Sequence, residues 1–580
     1  MRGLEQKGRP AVSPISCRQV PLRTQQRAVP YMDPVMMFQR VCRGANTLLL
    51  ESAEIDSKRH LQSFLMTVAA ARFVCRGREV VAEALTAGGQ RLLAALADHF
   101  RAAPLTGVEV SEVATGIPSI GNSSGVTGAV SEAEWRQASR VAWRFPAGTN
   151  EQDEDARLLA PFVFEPLRRI QQVVELPAGE ESSLFVGGML AYDLVELFEP
   201  LPPAESDGDC PDYVFYVAEQ LVHFDHVRQT ATATQLGFGD EVEGFGEGAG
   251  DGAGAGRELV ASLTALCQTL DLPTANDLPP VAPVSGEPTV DLSDEQFCQI
   301  VERLKQEVFR GVVFQCVPSR SFRLPCPAPL RAYRRLRKTN PSPYMFYLQD
   351  EKFVLFGASP ETAVKFTAAD RMVELCPIAG TRTRGFGADG QIDLDLDGRI
   401  ELELRTDQKE LAEHLMLVDL ARNDLARICE PGTRHVAQLL RVDRYSHVMH
   451  LVSRVKGRLR AGLDGLHAYQ ACMNMGTLTG APKVQAMQLI RQLEGKKRGS
   501  YGGAVGYFNG SGDFETCIVI RSALVRGGEA RVQAGAGVVH DSEPQAEANE
   551  TRGKAQAVLN AIRQAHLEDD SAVQQRGAAR

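Results

Sequence analysis

Apolar residues recur at Leu411, Leu415, Val418, Leu425 and Ile428, close to helical spacing, and a Pro-Gly pair at 431–432 ends the run. The pattern predicts a helix over 410–428 with Glu410, Glu413 and His414 at i, i+3 and i+4, on one face. A second helix is predicted from Ser542, where Ser542 and Gln545 read as a capping box and Pro544 sits in the first turn. On it Glu543, Glu547, Glu550 and Lys554 fall within an arc of roughly 60°. Each helix can therefore present a line of carboxylates. If the two lines face each other, their hard oxygens suit Mg²⁺; if not, they are two solvated faces.

The remaining pattern is mostly of strands. LLLES at 48–52 reads as a short strand, followed by a helix running KRHLQSFLMTVAAARFV from an N-cap at Asp56 or Ser57. Strand-like runs between 160 and 230 (SLFVGGMLAYDLVE, DYVFYVAEQLVHFD) predict a mostly antiparallel sheet. Past 290 come a helix capped by Ser293 with Gln296, then a strand in VVFQCVPSRSF. PSPYMFYLQDEKFVLFGASPE reads as a hairpin turning at QDEK, and CPIAGTRTRG as a strand ending at a Gly-Thr-Arg corner. A meander with Asn-Gly and Gly-Gly turns runs from 503 to 539.

Composition shifts divide the chain. Residues 1–44 form an extension whose start is polar and rich in Arg, with one early strand around 15–22; a flexible tail or a transit peptide would both fit. One domain covers 45–235. Residues 236–290 combine a Gly- and acid-rich insertion with a Pro-rich linker, 291–565 form a second domain, and 566–580 a flexible tail. The 12 cysteines show neither CxxC pairs nor metal spacing and read as reduced thiols of a cytoplasmic protein. A net charge of −10 argues against nucleic acid as the main partner, and no apolar run reaches membrane-spanning length.

Some residues carry chemistry on their own account. Glu51 and Ser52 end a strand, either as plain strand-end residues or as a pair placed to hold an amino group. Arg521 interrupts an apolar strand, and its fork suits a bound carboxylate. Gly535, Ala536 and Gly537 leave strand-end N–H groups open to a ligand, or serve close strand packing. No GxGxxG opens a helix, which excludes the dinucleotide-binding reading.

Together the motifs GASPE (357–361), PIAGTRTRG (377–385), ELAEHLMLVDLARNDLARI (410–428), DRYSHVMHLVSRVKG (443–457), GTLTGAPK (476–483), SYGGAVGY (500–507) and QAGAGVV (533–539) resemble the chorismate-binding domain of the chorismate-utilising enzymes. Residues 45–230 resemble the amino-terminal domain that accompanies it in anthranilate synthase component I. The resemblance implies an α/β (α+β) fold of large, mostly antiparallel β-sheets packed as a sandwich with flanking helices. It also implies a reaction: chorismate and ammonia give aminodeoxyisochorismate, which loses pyruvate to leave anthranilate, the first step of tryptophan biosynthesis.

Roles follow from the same resemblance. Glu361 is the expected acid for the departing hydroxyl, His450 the expected base of the elimination, and Thr477 a hydrogen-bonding partner of substrate. Without the family context His450 would read as a satisfied core histidine. Mg²⁺ is expected on Glu413 and Glu550, with Glu410 and Glu547 as further ligands. Tyr501, Arg521, Gly535, Ala536 and Gly537 are expected to hold substrate carboxylates, with Gly380, Thr381 and Lys554 completing the pocket. Ala379 replaces the lysine that para-aminating relatives use, and Gln315 replaces the lysine that activates water in isochorismate and salicylate synthases. Both point to ortho amination by ammonia.

LLLES matches the feedback tryptophan site. Glu51 and Ser52 would receive the amino group; Pro343, Tyr344, Met345, Val505, Tyr507 and Cys517 would line the indole pocket. No glutaminase signature is visible, so glutamine-dependent activity would need a separate amidotransferase subunit (component II), in a heterotetramer of two large and two small subunits. The acidic glycine insertion and the Arg-rich start depart from the family pattern.

Overall fold

The computed structural model describes residues 19–42, 44–53, 60–114, 138–147, 153–205, 210–239, 254–271, 282–445 and 448–567. Twenty-three strands join through their ladders into one connected sheet system. Among the described residues its ladders are antiparallel except the short pairing of Val20–Pro21 with Val174–Glu175. Helices flank the sheets, as the resemblance implies.

Two ladders join the amino-terminal half to the carboxyl-terminal half. Strand Thr47–Ala53, which contains LLLES, pairs with Tyr344–Gln349 so that Ser52 lies opposite Tyr344 and Glu51 opposite Met345. Strand Phe185–Leu190, buried at every position, pairs with Ala504–Asn509. The boundary read at 236–290 is a change of composition; the sheet runs across it.

The hairpin at QDEK, the meander and the Ser293 capping box take the form the sequence predicts. Four expectations are corrected. The helix predicted after Ser57 is a 17-residue strand, His60–Arg76; the proposed N-cap at 56–57 lies outside the described residues. Its Leu, Met and Ala residues favour a helix locally, but the strand pairs with Tyr213–Asp225 along its length and with Thr47–Ala53 and Glu79–Ala84 on its other edge. The amino-terminal extension is built into the fold as strand Val20–Val29 and helix Pro34–Val41, whose Val35, Met37 and Phe38 are buried. The linker contains a helix, Gly254–Asp271, that buries Leu263, Leu266 and Leu270; residues 240–253 of the acidic insertion lie outside the described residues. Within the 410–428 helix, Leu415 is exposed, while Leu417 and Val418 face the core.

Two helices frame the cleft. Gln408–Ala426 packs on strands Ile378–Thr383 and Val448–Arg458, with Asp407 as its N-cap. Pro544–Arg563 packs on helix Asp294–Phe309 and strand Glu529–Gly535. Its N-cap is Glu543, one residue later than predicted, and no capping box forms. Ser542 instead faces the preceding loop, where its hydroxyl accepts from Val539 N–H at 3.0 Å.

Candidate active site

Glu361 follows strand Val354–Ser359 and is 6% exposed. The short helix Gly476–Thr479 brings Thr477 to it, and the threonine hydroxyl donates to Oε1 at 2.9 Å. That helix ends at Gly480, where φ is +126° and a Cβ would stand 2.1 Å from the Gln315 carbonyl, so glycine is required for the close approach. Burial pushes the Glu361 carboxyl up to about 8, against smaller lowering effects of Thr477, Lys554 and Arg521. At neutral pH this side chain carries a proton.

His450 lies on strand Val448–Arg458, opposite Thr381. Its Nδ1 is 3.1 Å from the Gly380 carbonyl and 3.0 Å from the Thr381 hydroxyl. A carbonyl only accepts, so Nδ1 carries the hydrogen and Nε2 presents a lone pair. Nε2 is buried and has no hydrogen-bond partner among the described residues. Burial, then Arg521 and Lys554, push the imidazole down to about 3. An anion that neutralises those two cations raises its basicity. Glu361 and His450 thus sense the same pair of positive charges.

Arg521 has φ +48°, a left-handed conformation uncommon for a residue with a side chain, and its buried guanidinium lies within the electrostatic reach of Tyr445 and Glu361. Lys554 Nζ reaches Gly535 O at 3.1 Å and Glu550 at 2.6 Å. Tyr501 is buried, and a Cβ on Gly535 would stand 3.0 Å from its hydroxyl. A Cβ on Gly537 would stand 2.6 Å from Gln315 Nε2. The open strand end expected at 535–537 is narrower than predicted: Gly535 N–H serves Tyr501 and Ala536 N–H donates to Pro318 O.

The two carboxylate lines meet at Glu413. Gln315 Nε2 donates to Glu413 Oε1 at 2.7 Å; burial raises the carboxyl, and Glu410 and Glu550, one from each helix, raise it further. Glu410 pairs with Arg382 at 2.7 Å, and Glu547 is buried beside the Ser542 hydroxyl. Among the described residues no three His, Cys, Asp or Glu side chains stand close enough to hold a metal by themselves. The donor chemistry fits a divalent cation: hard oxygens, and mutual repulsion that positive charge relieves. His414 does not share the cleft-facing side of Glu410 and Glu413. It is fully buried, with Nε2 2.6 Å from the Ser453 hydroxyl, because the i+4 position turns into the sheet. Ala379 lies beside the site in strand Ile378–Thr383, paired with Leu451.

A cavity of about 740 Å³ adjoins the site, lined by Ser52, Pro343, Tyr344, Thr362, Tyr445 and Glu515 among others. The Tyr344 hydroxyl is 2.9 Å from that of Thr362, the chain neighbour of Glu361. Glu51 and Met345 do not join this lining. Strand alternation turns them to the opposite face, where Glu51 accepts from the Tyr333 hydroxyl at 2.5 Å and pairs with Arg337 at 2.9 Å. Val505 and Cys517 are cross-strand partners buried in the sheet. The ring of Tyr507 stacks on Phe185, 5.0 Å between centroids.

Sequence reasoning missed three contributors. Arg382 holds Glu410, and Arg384 binds Asp397 through two hydrogen bonds of 2.8 and 2.9 Å, tying the strand-end corner to helix Leu394–Thr406. Tyr445 packs edge-on against His450. All three sit inside motifs that the sequence displays, but Glu410 and Asp397 lie in other segments of the chain, and only the fold turns the Tyr445 ring onto His450.

A buried acid held neutral, a base with a free lone pair and two cations that act on both stand together in the cleft. The family of chorismate binding enzymes matches over residues 129–560, and the chain belongs to it. It is similar along nearly its whole length to anthranilate synthase component 1 of Vibrio cholerae, at 54% identity over 94% of this chain and 97% of that one. The corresponding protein of Escherichia coli K12 is 51% identical over 92% of this chain and 95% of its own. Among solved structures, anthranilate synthase component I of Streptococcus pneumoniae superposes with a TM-score of 0.60 at 26% identity, covering 91% of this chain and 97% of that one. The menaquinone-specific isochorismate synthase of Escherichia coli, at 16% identity and TM-score 0.61 over 94% of this chain and 95% of its own, shares the fold.

Proposed function

We propose that this chain is the large subunit of an anthranilate synthase, which converts chorismate and ammonia to anthranilate and pyruvate. The observation that carries the reading is the pairing of a protonated Glu361 with an unprotonated His450 Nε2 around Arg521 and Lys554. The two cations receive the substrate carboxylates. Ammonia forms a bond to C2 as the C4 hydroxyl leaves with the Glu361 proton. The ammonium nitrogen returns a proton to the Glu361 carboxylate, and His450 Nε2 then takes the C2 proton; the electron pair aromatises the ring as the C3–O bond breaks, and the enolpyruvate released takes up a proton at its methylene carbon to become pyruvate. Glu413 and Glu550, with Glu410 and Glu547 behind them, would hold Mg²⁺, which supplies charge neutralisation for the ring carboxylate. Gln315, an amide without a basic amine, suits a nucleophile that needs no activation, and Ala379 leaves no amine to add to the ring.

The same reading assigns the cavity beside Ser52 and Tyr344 to the inhibitor tryptophan. It assigns ammonia supply to a glutamine amidotransferase partner, and the assembly to a cytoplasmic heterotetramer of two large and two small subunits. Among the described residues no helix is long and apolar enough to cross a membrane. Chromatography of the products from chorismate, ammonium and Mg²⁺ tests the chemistry: ortho-aminobenzoate supports it, whereas 4-amino-4-deoxychorismate or isochorismate as the main product contradicts it.

A further inference from the structure

We propose that Tyr445 is a positioning residue that sets both members of the acid–base pair; the inference rests on the catalytic reading of Glu361 and His450. Its ring stands edge-to-face on the His450 imidazole, with centroids 5.2 Å apart and planes at 68°. Its hydroxyl donates to the carbonyl of Pro360, the residue that precedes Glu361, at 3.3 Å. The side chain is 4% exposed, packed between the two partners at the wall of the cavity. Its backbone is fixed at both ends: Tyr445 N–H donates to Val448 O at 2.7 Å, and Arg384, itself anchored on Asp397, donates to Tyr445 O at 2.8 Å. Arg521 and Glu361 both lie within its electrostatic reach.

The two contacts make separable demands. The Gly380 carbonyl and the Thr381 hydroxyl both hold Nδ1 of His450, and neither touches Nε2. The Tyr445 ring, packed at 68° to the imidazole, fixes the plane of that ring and so aims Nε2. The hydroxyl holds the Pro360 carbonyl, and with it the direction in which Glu361 leaves its strand. Tyr445 touches no reacting atom in this arrangement and acts only through its two neighbours.

Two variants separate the contacts: Tyr445→Phe keeps the ring and removes the hydroxyl, and Tyr445→Leu removes both. The first readout is the ¹⁵N-histidine spectrum of the full chain without substrate, with His450 assigned from His450→Gln. His450 is expected as a single Nδ1-protonated species in wild type and in Tyr445→Phe, and as a shifted or doubled signal in Tyr445→Leu. The second is steady-state kinetics per folded site. For Tyr445→Phe kcat is expected to fall about fivefold, and for Tyr445→Leu about a hundredfold, with KM for chorismate within about threefold in both. An unmoved His450 signal in Tyr445→Leu overturns the inference, as does kcat within about twofold of wild type in Tyr445→Phe. The spectrum needs no turnover, so a wild-type chain that makes no anthranilate overturns the proposed function while the spectrum still decides the role of Tyr445.

Discussion

The Thr477 hydroxyl donates to Oε1 of Glu361 across 2.9 Å, opposing the burial that raises this carboxyl to about 8. The two effects have opposite signs and are separable by mutation. Thr477→Val removes the bond that favours the ionised form, so Glu361 should titrate higher. Activity depends on the protonated acid and declines as pH rises through its pKa. The alkaline limb of the kcat profile should therefore move up by about half to one pH unit, with kcat at neutral pH reduced about tenfold by lost positioning. A downward shift would contradict the assignment.

The same carboxyl links stability to pH. Its value rises from 4.5 to about 8 on folding, so between those limits the folded chain binds the extra proton and stability falls as pH increases. His450 acts at the other end: from 6.5 it drops to about 3, so the unfolded chain binds the extra proton and stability falls as pH decreases through that window. Denaturant titrations across pH should show Glu361→Gln flattening the first slope and His450→Gln the second.

Arg521 and Lys554 are expected to act chiefly on substrate binding. Arg521→Gln and Lys554→Met should each raise KM for chorismate by about ten- to a hundredfold, a salt-sensitive loss of about 1.5–3 kcal/mol for a charge-assisted contact. Both variants also remove a cation that depresses His450, so the imidazole in the substrate-free protein should titrate higher than in wild type by NMR.

Strand alternation divides Glu51 from Ser52. Glu51→Gln weakens a buried pair with Arg337 and Tyr333 and should cost roughly 3 kcal/mol of stability while tryptophan still inhibits. Ser52→Leu should leave the denaturation midpoint nearly unchanged and abolish the inhibition. Calorimetry with tryptophan titration distinguishes the two; loss of inhibition in the Glu51 variant at unchanged stability would reverse the assignment.

Much of this arrangement could be read from the sequence, because short-range rules fixed it. The helix carrying Glu410 and Glu413 and the C-terminal helix carrying Glu550 and Lys554 announce themselves by period, and the helix after Ser293 by its capping box. The long strand His60–Arg76 does not, since its Ala- and Leu-rich residues match a helix locally and become a strand through pairing with Tyr213–Asp225. His414 was misplaced for a related reason. A line of polar residues at i, i+3 and i+4 spans enough arc for its last member to turn into the sheet, where Ser453 awaits it. The partners of Glu361, Glu51 and Tyr445 lie more than eighty residues away in at least one contact each, and no periodicity encodes such distances.

The charges of two helices converge on Glu413. Glu413→Gln should reduce Mg²⁺ affinity in the presence of chorismate by at least about tenfold, read by calorimetric titration, whereas Glu543→Gln, at the exposed N-cap, should not. Equal affinity in both variants would remove Glu413 from the metal site.

The most direct measurement is the fluorescence of anthranilate formed by the purified chain from chorismate and ammonium at mildly alkaline pH, with and without Mg²⁺ and tryptophan. The expected result is a signal that requires Mg²⁺, vanishes in Glu361→Gln and is suppressed by tryptophan. Chorismate consumed without anthranilate, or a signal of full size in Glu361→Gln, would contradict the account.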